Sequence, residues 1–293
     1  ASGAVTELPF DNCDGSMTWA NDSQTLFYGE LDDTHRPHKI YRHRLGDTDS
    51  SEVYHDPDGR FFVHCYRAGS ERQLVILSHS KTTSEAWVLS ADEPEGSWTC
   101  LAPRQEDHEY FPDHGLYEGQ WRWLIRSNQA GINFALYYAS ETEPGREHWQ
   151  ELVPHDDAVM LEDVSLNAEA ITLTLRASGL PVIEVRPQGV QPYRLQLPDA
   201  AYSLHVQNSL EFTSTVIRLR YEALNRPAQI RQLTLADGTQ EVLKETPVEG
   251  PFDADAYESR RIWATAQDGT QIPISLVGRR DSFGKPAPLY LYG

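Results

Sequence analysis

The chain has 293 residues, 39% of them hydrophobic and 10% aromatic, and its 44 acidic against 25 basic side chains leave a formal net charge of −19. A chain this long buries a sizeable core, and it holds no apolar run near the roughly 18 residues of a membrane span. The charge argues against nucleic acid, whose phosphates need clustered basic surface, and favours cationic ligands, although a merely very soluble or halotolerant protein carries the same surplus.

The first residues, 1–5, lack the basic start and apolar core of an export signal. Cys13, Cys65 and Cys100 are odd in number and scattered, which fits reduced, inert thiols in a cytoplasm better than a disulfide framework or a metal site. Short alternating runs then recur with no helical stripe. The first unit opens near Met17, continues through strands at 25–29 and 39–43, and closes at 53–55. The second opens near Phe61, with strands at 73–78 and 85–89, and closes at 100–102. The third is the most strongly patterned: strands at 108–110, 121–126 and 133–138, a turn whose Asn128 and Gly131 supply positive-φ positions, and a closing strand at 151–153. The fourth opens near Val159, runs through 170–175 and 181–185, and closes at 195–197. The fifth opens near Ser203, runs through 215–221 and 229–235, turns at Asp237 and Gly238, and closes at 242–244.

The openings are 44, 47, 51 and 44 residues apart. A period of that length built from short strands predicts an all-β fold of four-stranded antiparallel propeller blades, and its regularity disfavours a two-sheet sandwich. Residues 1–250 read as the blades. After Pro251 a hairpin is expected at 257–266 and 271–277 around Asp268 and Gly269, followed by a charged linker and an apolar strand at 289–292. A buried-looking strand there reads as the beginning of a second domain.

Several segments carry a resemblance: WANDSQTLFY at 19–28, RPHKIYRHRLG at 36–46, TTSEAWVL at 82–89, LAPRQEDHEYFPDH at 101–114, RSNQAGINFALY at 126–137, WATAQDGTQIPISLVGRRD at 263–281 and PLYLYG at 288–293. In order and spacing they resemble the oligopeptidase B (protease II) branch of the prolyl oligopeptidase family, over residues 11–293. The resemblance implies a seven-bladed propeller capping an α/β-hydrolase domain, with a Ser, Asp and His site between them and cleavage of small peptides after Arg or Lys. It implies no cofactor. Residues 251–293 would be the hinge and first strands of the hydrolase domain, and five blade-like units against seven imply that upstream blades are missing. No serine sits in a G-x-S-x-G elbow, so the triad is expected downstream of Gly293, the family's oxyanion tyrosine falls beside or just past Tyr292, and the chain alone should be inactive.

Candidate substrate or interdomain residues are Asp107, His108, Glu109, Arg126 and Asn128 of the third unit, with Arg126 and Asn128 suited to orienting a carboxylate or carbonyl, and Glu162 and Asp163 of the fourth, suited to attracting a basic side chain. Each also has a plain structural reading in strand pairing and turn formation. His108 and His114 with Asp107, Glu109 and Asp113 do not make a metal set, because successive strand residues point to opposite faces. Two other classes remain open. A five-bladed glycoside hydrolase would use carboxylates such as Asp22, Asp107, Asp163 and Glu222. A non-catalytic protein-binding propeller would expose aromatics such as Trp19, Trp87, Trp121 and Trp123.

Overall fold

The computed structural model describes Phe10, residues 12–207 and residues 211–292. Residues 1–5, Asn208 at the end of the fifth opening segment, and Gly293 lie outside them. Among the described residues the strands form five antiparallel four-stranded sheets and one two-stranded sheet. In chain order these are β1 (Cys13–Trp19), β2 (Thr25–Leu31), β3 (Pro37–Arg44) and β4 (Ser51–His55); β5 (Phe62–Arg67), β6 (Gln73–His79), β7 (Ser84–Ser90) and β8 (Thr99–Ala102); β9 (Tyr110–Tyr117), β10 (Gln120–Ser127), β11 (Ala135–Ser140) and β12 (Gln150–Val153). The fourth and fifth sheets are β13 (Val159–Leu166), β14 (Ala170–Ala177), β15 (Leu180–Pro187) and β16 (Tyr193–Arg194), then β17 (Tyr202–Gln207), β18 (Val216–Ala223), β19 (Arg226–Thr234) and β20 (Gln240–Glu245). β21 (Tyr257–Thr265) pairs with β22 (Gln271–Arg279) as the expected hairpin.

Local sequence explains these sheets. β18 buries Ile217, Leu219, Tyr221 and Ala223 and exposes the residues between, the period of a half-buried strand. β2 and β14 are buried on both faces along most of their length, as strands sandwiched between neighbouring layers must be. Two-residue turns at Glu118–Gly119 (φ 52° and 71°) and Ser178–Gly179 (φ 50° and 75°) place both central residues in the left-handed region, whose twist suits a tight hairpin.

The chain divides into two compact units, residues 1–157 with 166–168, and residues 158–165 with 169–293. In the first unit, Phe27, Ile40, Val63, Leu74 and Ile76 form one core between the first and second sheets, and Val75, Val88, Tyr110, Trp123 and Tyr137 form another between the second and third. The buried Asp56 carboxylate accepts from Ser78 Oγ and Arg104 Nη2, both at 2.5 Å, and the Arg104 guanidinium lies 3.9 Å from the Phe61 ring centre. Burial pushes the Asp56 pKa upward, but these donors hold it below the usual carboxylate value. In the second unit Ile183, Val185, Leu204, Leu219, Tyr221 and Leu233 form the core between the fourth and fifth sheets. Among the described residues no helix is long and apolar enough to cross a membrane.

Four expectations are corrected. The third sheet opens with β9 at Tyr110, so residues 107–109 precede the strand instead of forming it. Pro112 disguises that strand, yet β9 lies at a sheet edge, where a missing N–H costs no ladder bond. Asn128 is not in the left-handed region; Phe134 is, at φ 61°, because the Asn128 side chain is used for tying the loop before β9. The fourth sheet closes at Tyr193–Arg194 instead of 195–197, as Leu195 and Leu197 pack against the apolar core beside it. Residues 289–292 form no strand: Leu289, Tyr290, Leu291 and Tyr292 are 78–86% exposed, and no described strand lies beside them to satisfy an extended backbone.

Candidate functional site

The loop entering β9 gathers five of the seven residues singled out from sequence. Asp107 has φ 59°, and its backbone N–H donates to Thr83 Oγ1 at 3.0 Å. Asn128, just past β10, binds both sides of this turn: Oδ1 accepts from the Glu109 N–H at 2.9 Å, and Nδ2 donates to the Asp107 carbonyl at 3.3 Å. Its own N–H donates to the Glu109 carbonyl, closing a ring of bonds between the two segments.

His108 is buried, with Nε2 2.8 Å from Ser127 Oγ and Nδ1 2.8 Å from Arg146 Nη2. Burial, with Arg146 adding to it, lowers its pKa to about 4, so the ring is neutral at pH 7. With both ring nitrogens engaged, it is a packing and positioning group. Tyr110 fixes the next position: its O–H donates to the Ala102 carbonyl at 2.5 Å and accepts from the Ala86 N–H at 2.8 Å, so β9 is stitched to the second sheet.

On that base, the partly buried Glu109 carboxyl has its pKa raised by desolvation, with Arg126 and His79 pulling the other way. The Arg126 guanidinium lies 4.3 Å from the Phe111 ring centre and 4.4 Å from that of Phe134. Aromatic faces on a guanidinium fix its plane. The arrangement therefore sets a desolvated carboxyl and an oriented guanidinium on a rigid base, suited to holding polar ends of a ligand. Its serine–histidine contact, Ser127 Oγ to His108 Nε2, is buried with both ring nitrogens engaged, so it presents no hydroxyl to a ligand.

Glu162 and Asp163 lie elsewhere, on β13 in the second unit. Glu162 pairs with Arg176, at 2.5 Å from Nε and 3.2 Å from Nη2, while Asp163 is exposed. Both line a groove of about 280 Å³ with residues of β14, β15 and β17. Two of the four carboxylates of the glycosidase reading are occupied locally: Asp22 caps the turn before β2, and Glu222 lies 3.7 Å from Arg220. Among the tryptophans, Trp123 is core and Trp19 is 41% exposed. Sequence reasoning missed Ser127, Arg146, Phe134 and His79, which meet the loop only through folding; the aromatic residues on either side of Arg126 were the one available signal.

The sequence matches the model of the prolyl oligopeptidase N-terminal β-propeller domain over residues 1–246. The chain belongs to the prolyl oligopeptidase family. It is 33% identical over 291 residues to dipeptidyl aminopeptidase BI of Pseudoxanthomonas mexicana, covering 96% of this chain and 39% of that protein. It is 26% identical to Protease 2 of Moraxella lacunata, covering 95% of this chain and 40% of the relative. Among solved structures, oligopeptidase B from Trypanosoma brucei with covalently bound antipain, in its closed form, superposes with a TM-score of 0.84 at 26% identity, over 95% of this chain and 41% of that one. Oligopeptidase B from Leishmania major gives 0.82 at 26% identity, over 94% and 40%. The chain thus spans about two fifths of the length of these relatives. The all-β propeller blades and the family expected from sequence agree with these findings, and the family is one of serine peptidases.

Proposed function

We propose that the chain is the substrate-gating, size-selecting propeller of an oligopeptidase B-like serine peptidase that hydrolyses small peptides after Arg or Lys. In this reading residues 1–250 are blades and 251–293 lead into the α/β-hydrolase domain that carries the nucleophile, acid and base. The Asp107–Asn128 loop cluster then faces substrate or the hydrolase domain, and Glu109 and Asp163 help draw in basic side chains. Free Cys13, Cys65 and Cys100 favour a reducing, cytoplasmic setting. The observation that carries the reading is the similarity, at a TM-score of 0.84, to an oligopeptidase B that holds antipain covalently. The net charge of −19 supports a cationic substrate.

A second reading has its own support: the 33% identity to a dipeptidyl aminopeptidase favours removal of dipeptides from a free amino terminus. The test is hydrolysis by the full-length parent of N-terminally blocked peptides with one internal Arg, Lys or Gln, beside unblocked dipeptidyl amides. Cleavage of blocked Arg and Lys peptides, with Gln peptides intact, is the expected result. Cleavage confined to unblocked substrates selects the second reading, and cleavage of neither removes both.

A further inference from the structure

β13 opens the fourth sheet and β17 the fifth, and among the described residues each is hydrogen-bonded to a strand on one side only. Residues of both strands line the 280 Å³ groove, Glu162 and Asp163 of β13 and five consecutive residues of β17, 202–206. An unpaired strand edge along a groove offers main-chain donors and acceptors to an incoming extended segment, as in peptide recognition by strand addition.

The side chains define what such a segment must carry. Tyr202 forms a fixed wall, because its O–H donates to the Pro181 carbonyl at 3.0 Å. Thr174 and Arg176 line the groove from β14, and Thr172, on the same strand face, is 1% exposed with a hydroxyl that has no hydrogen-bond partner. Arg176 neutralises Glu162, so the two carboxylates and one guanidinium of the lining sum to a formal charge of −1. Asp163 supplies that charge. Ser203 and His205, both exposed, line the same strand.

We propose that this inter-sheet groove binds an extended peptide, its main chain along β17 and a Lys or Arg side chain directed to Asp163 beside the Tyr202 ring. The proposal deepens the peptidase reading by naming a second peptide-binding site on the propeller, and it is tested by binding, so its failure is separable from that of the catalytic reading. The probe is a fluorescein-labelled hexapeptide of alternating Lys and Thr, with a Glu and Thr peptide as control, titrated into the 293-residue chain at low and at physiological salt. The Lys peptide is expected to bind and the Glu peptide not. Asp163→Asn should weaken binding about fivefold at low salt, the upper range for an exposed ion pair. His205→Glu should strengthen it, and Ser203→Arg should abolish it by filling the groove with a cation. All three positions are exposed, and circular dichroism checks that the variants fold. In the full-length parent, Asp163→Asn should raise KM for basic hexapeptides more than it raises KM for a single-residue Arg amide, which is too short to lie along β17. No binding, equal binding of both peptides, or affinity indifferent to all three substitutions overturns the proposal. Saturation of the groove by the chain's own exposed 289–292 segment, seen as binding that appears only when those residues are deleted, overturns it as well.

Discussion

At the scale of single residues, two buried histidines tie the fold to pH. His108 and His114 both have pKa values lowered to about 4, chiefly by burial; Arg146 adds to the effect at His108 and Arg72 at His114, where Glu141 opposes it. In the unfolded chain each titrates near 6.5. Between these values the unfolded state binds more protons than the native state, so stability is complete above about pH 6.5 and is lost as pH falls toward 4. The loss should be on the order of 2–3 kcal/mol per histidine. Glu109, raised by burial, works in the opposite direction over the lower part of the range. Urea unfolding at pH 7 and pH 4.5 measures the difference, and His108→Gln should flatten it; equal stability at the two pH values contradicts the assignment. Tyr110→Phe tests the stitch between the second and third sheets. It strands the Ala86 N–H and the Ala102 carbonyl, and should cost about 2–4 kcal/mol, read as a lower urea midpoint.

At the scale of elements, the two left-handed turns form a matched pair. A Cβ on Gly119, at φ 71°, meets nothing within 4 Å, whereas one on Gly179, at φ 75°, lies 2.9 Å from Arg261 Nη2. Arg261 reaches from β21 to donate to the Ser178 carbonyl, hooking the hairpin onto this turn. Gly119→Ala should therefore cost about 1 kcal/mol of backbone strain. Gly179→Ala should cost more, and the excess should disappear in an Arg261→Ala background; a double-mutant cycle with no coupling denies the hook. The sequence foreshadowed this level well where pattern is local: the strand period, the blade spacing, and the Asp268–Gly269 turn, whose glycine has φ 88°. It was silent where pairing decides. β9 was hidden because Pro112 and Gly115 interrupt its alternation, and only its position at a sheet edge makes them tolerable. The short apolar run at 289–292 looked like a strand because periodicity cannot reveal whether a partner strand is present. In the candidate site, the Asp107–Asn128 segment was legible as one cluster, while Arg146 and His79, distant in sequence, carry no signal that they belong to it.

At the scale of the whole molecule, the charge asks for a role. A net of −19 acts over distance, but exposed charges are screened beyond a Debye length of about 8 Å at physiological salt. A diffuse field of this kind raises the rate at which cations arrive; it does not select one side chain over another, which takes short paired contacts. In the proposed peptidase, the residues that fix cleavage next to Arg or Lys should then lie on the hydrolase domain, with the propeller acting on association. The 293-residue chain by itself, having no serine in a nucleophile elbow, should show no titratable cleavage of Arg peptides. In the full-length parent, Asp107→Asn combined with Asp163→Asn should lower kcat/KM for basic peptides at low ionic strength and leave kcat unchanged. The difference from the parent should shrink as salt rises and vanish for neutral substrates. A loss of kcat with an unaltered salt slope would instead place these carboxylates in the chemistry or its geometry, and would leave the acidic surface as a device for solubility alone.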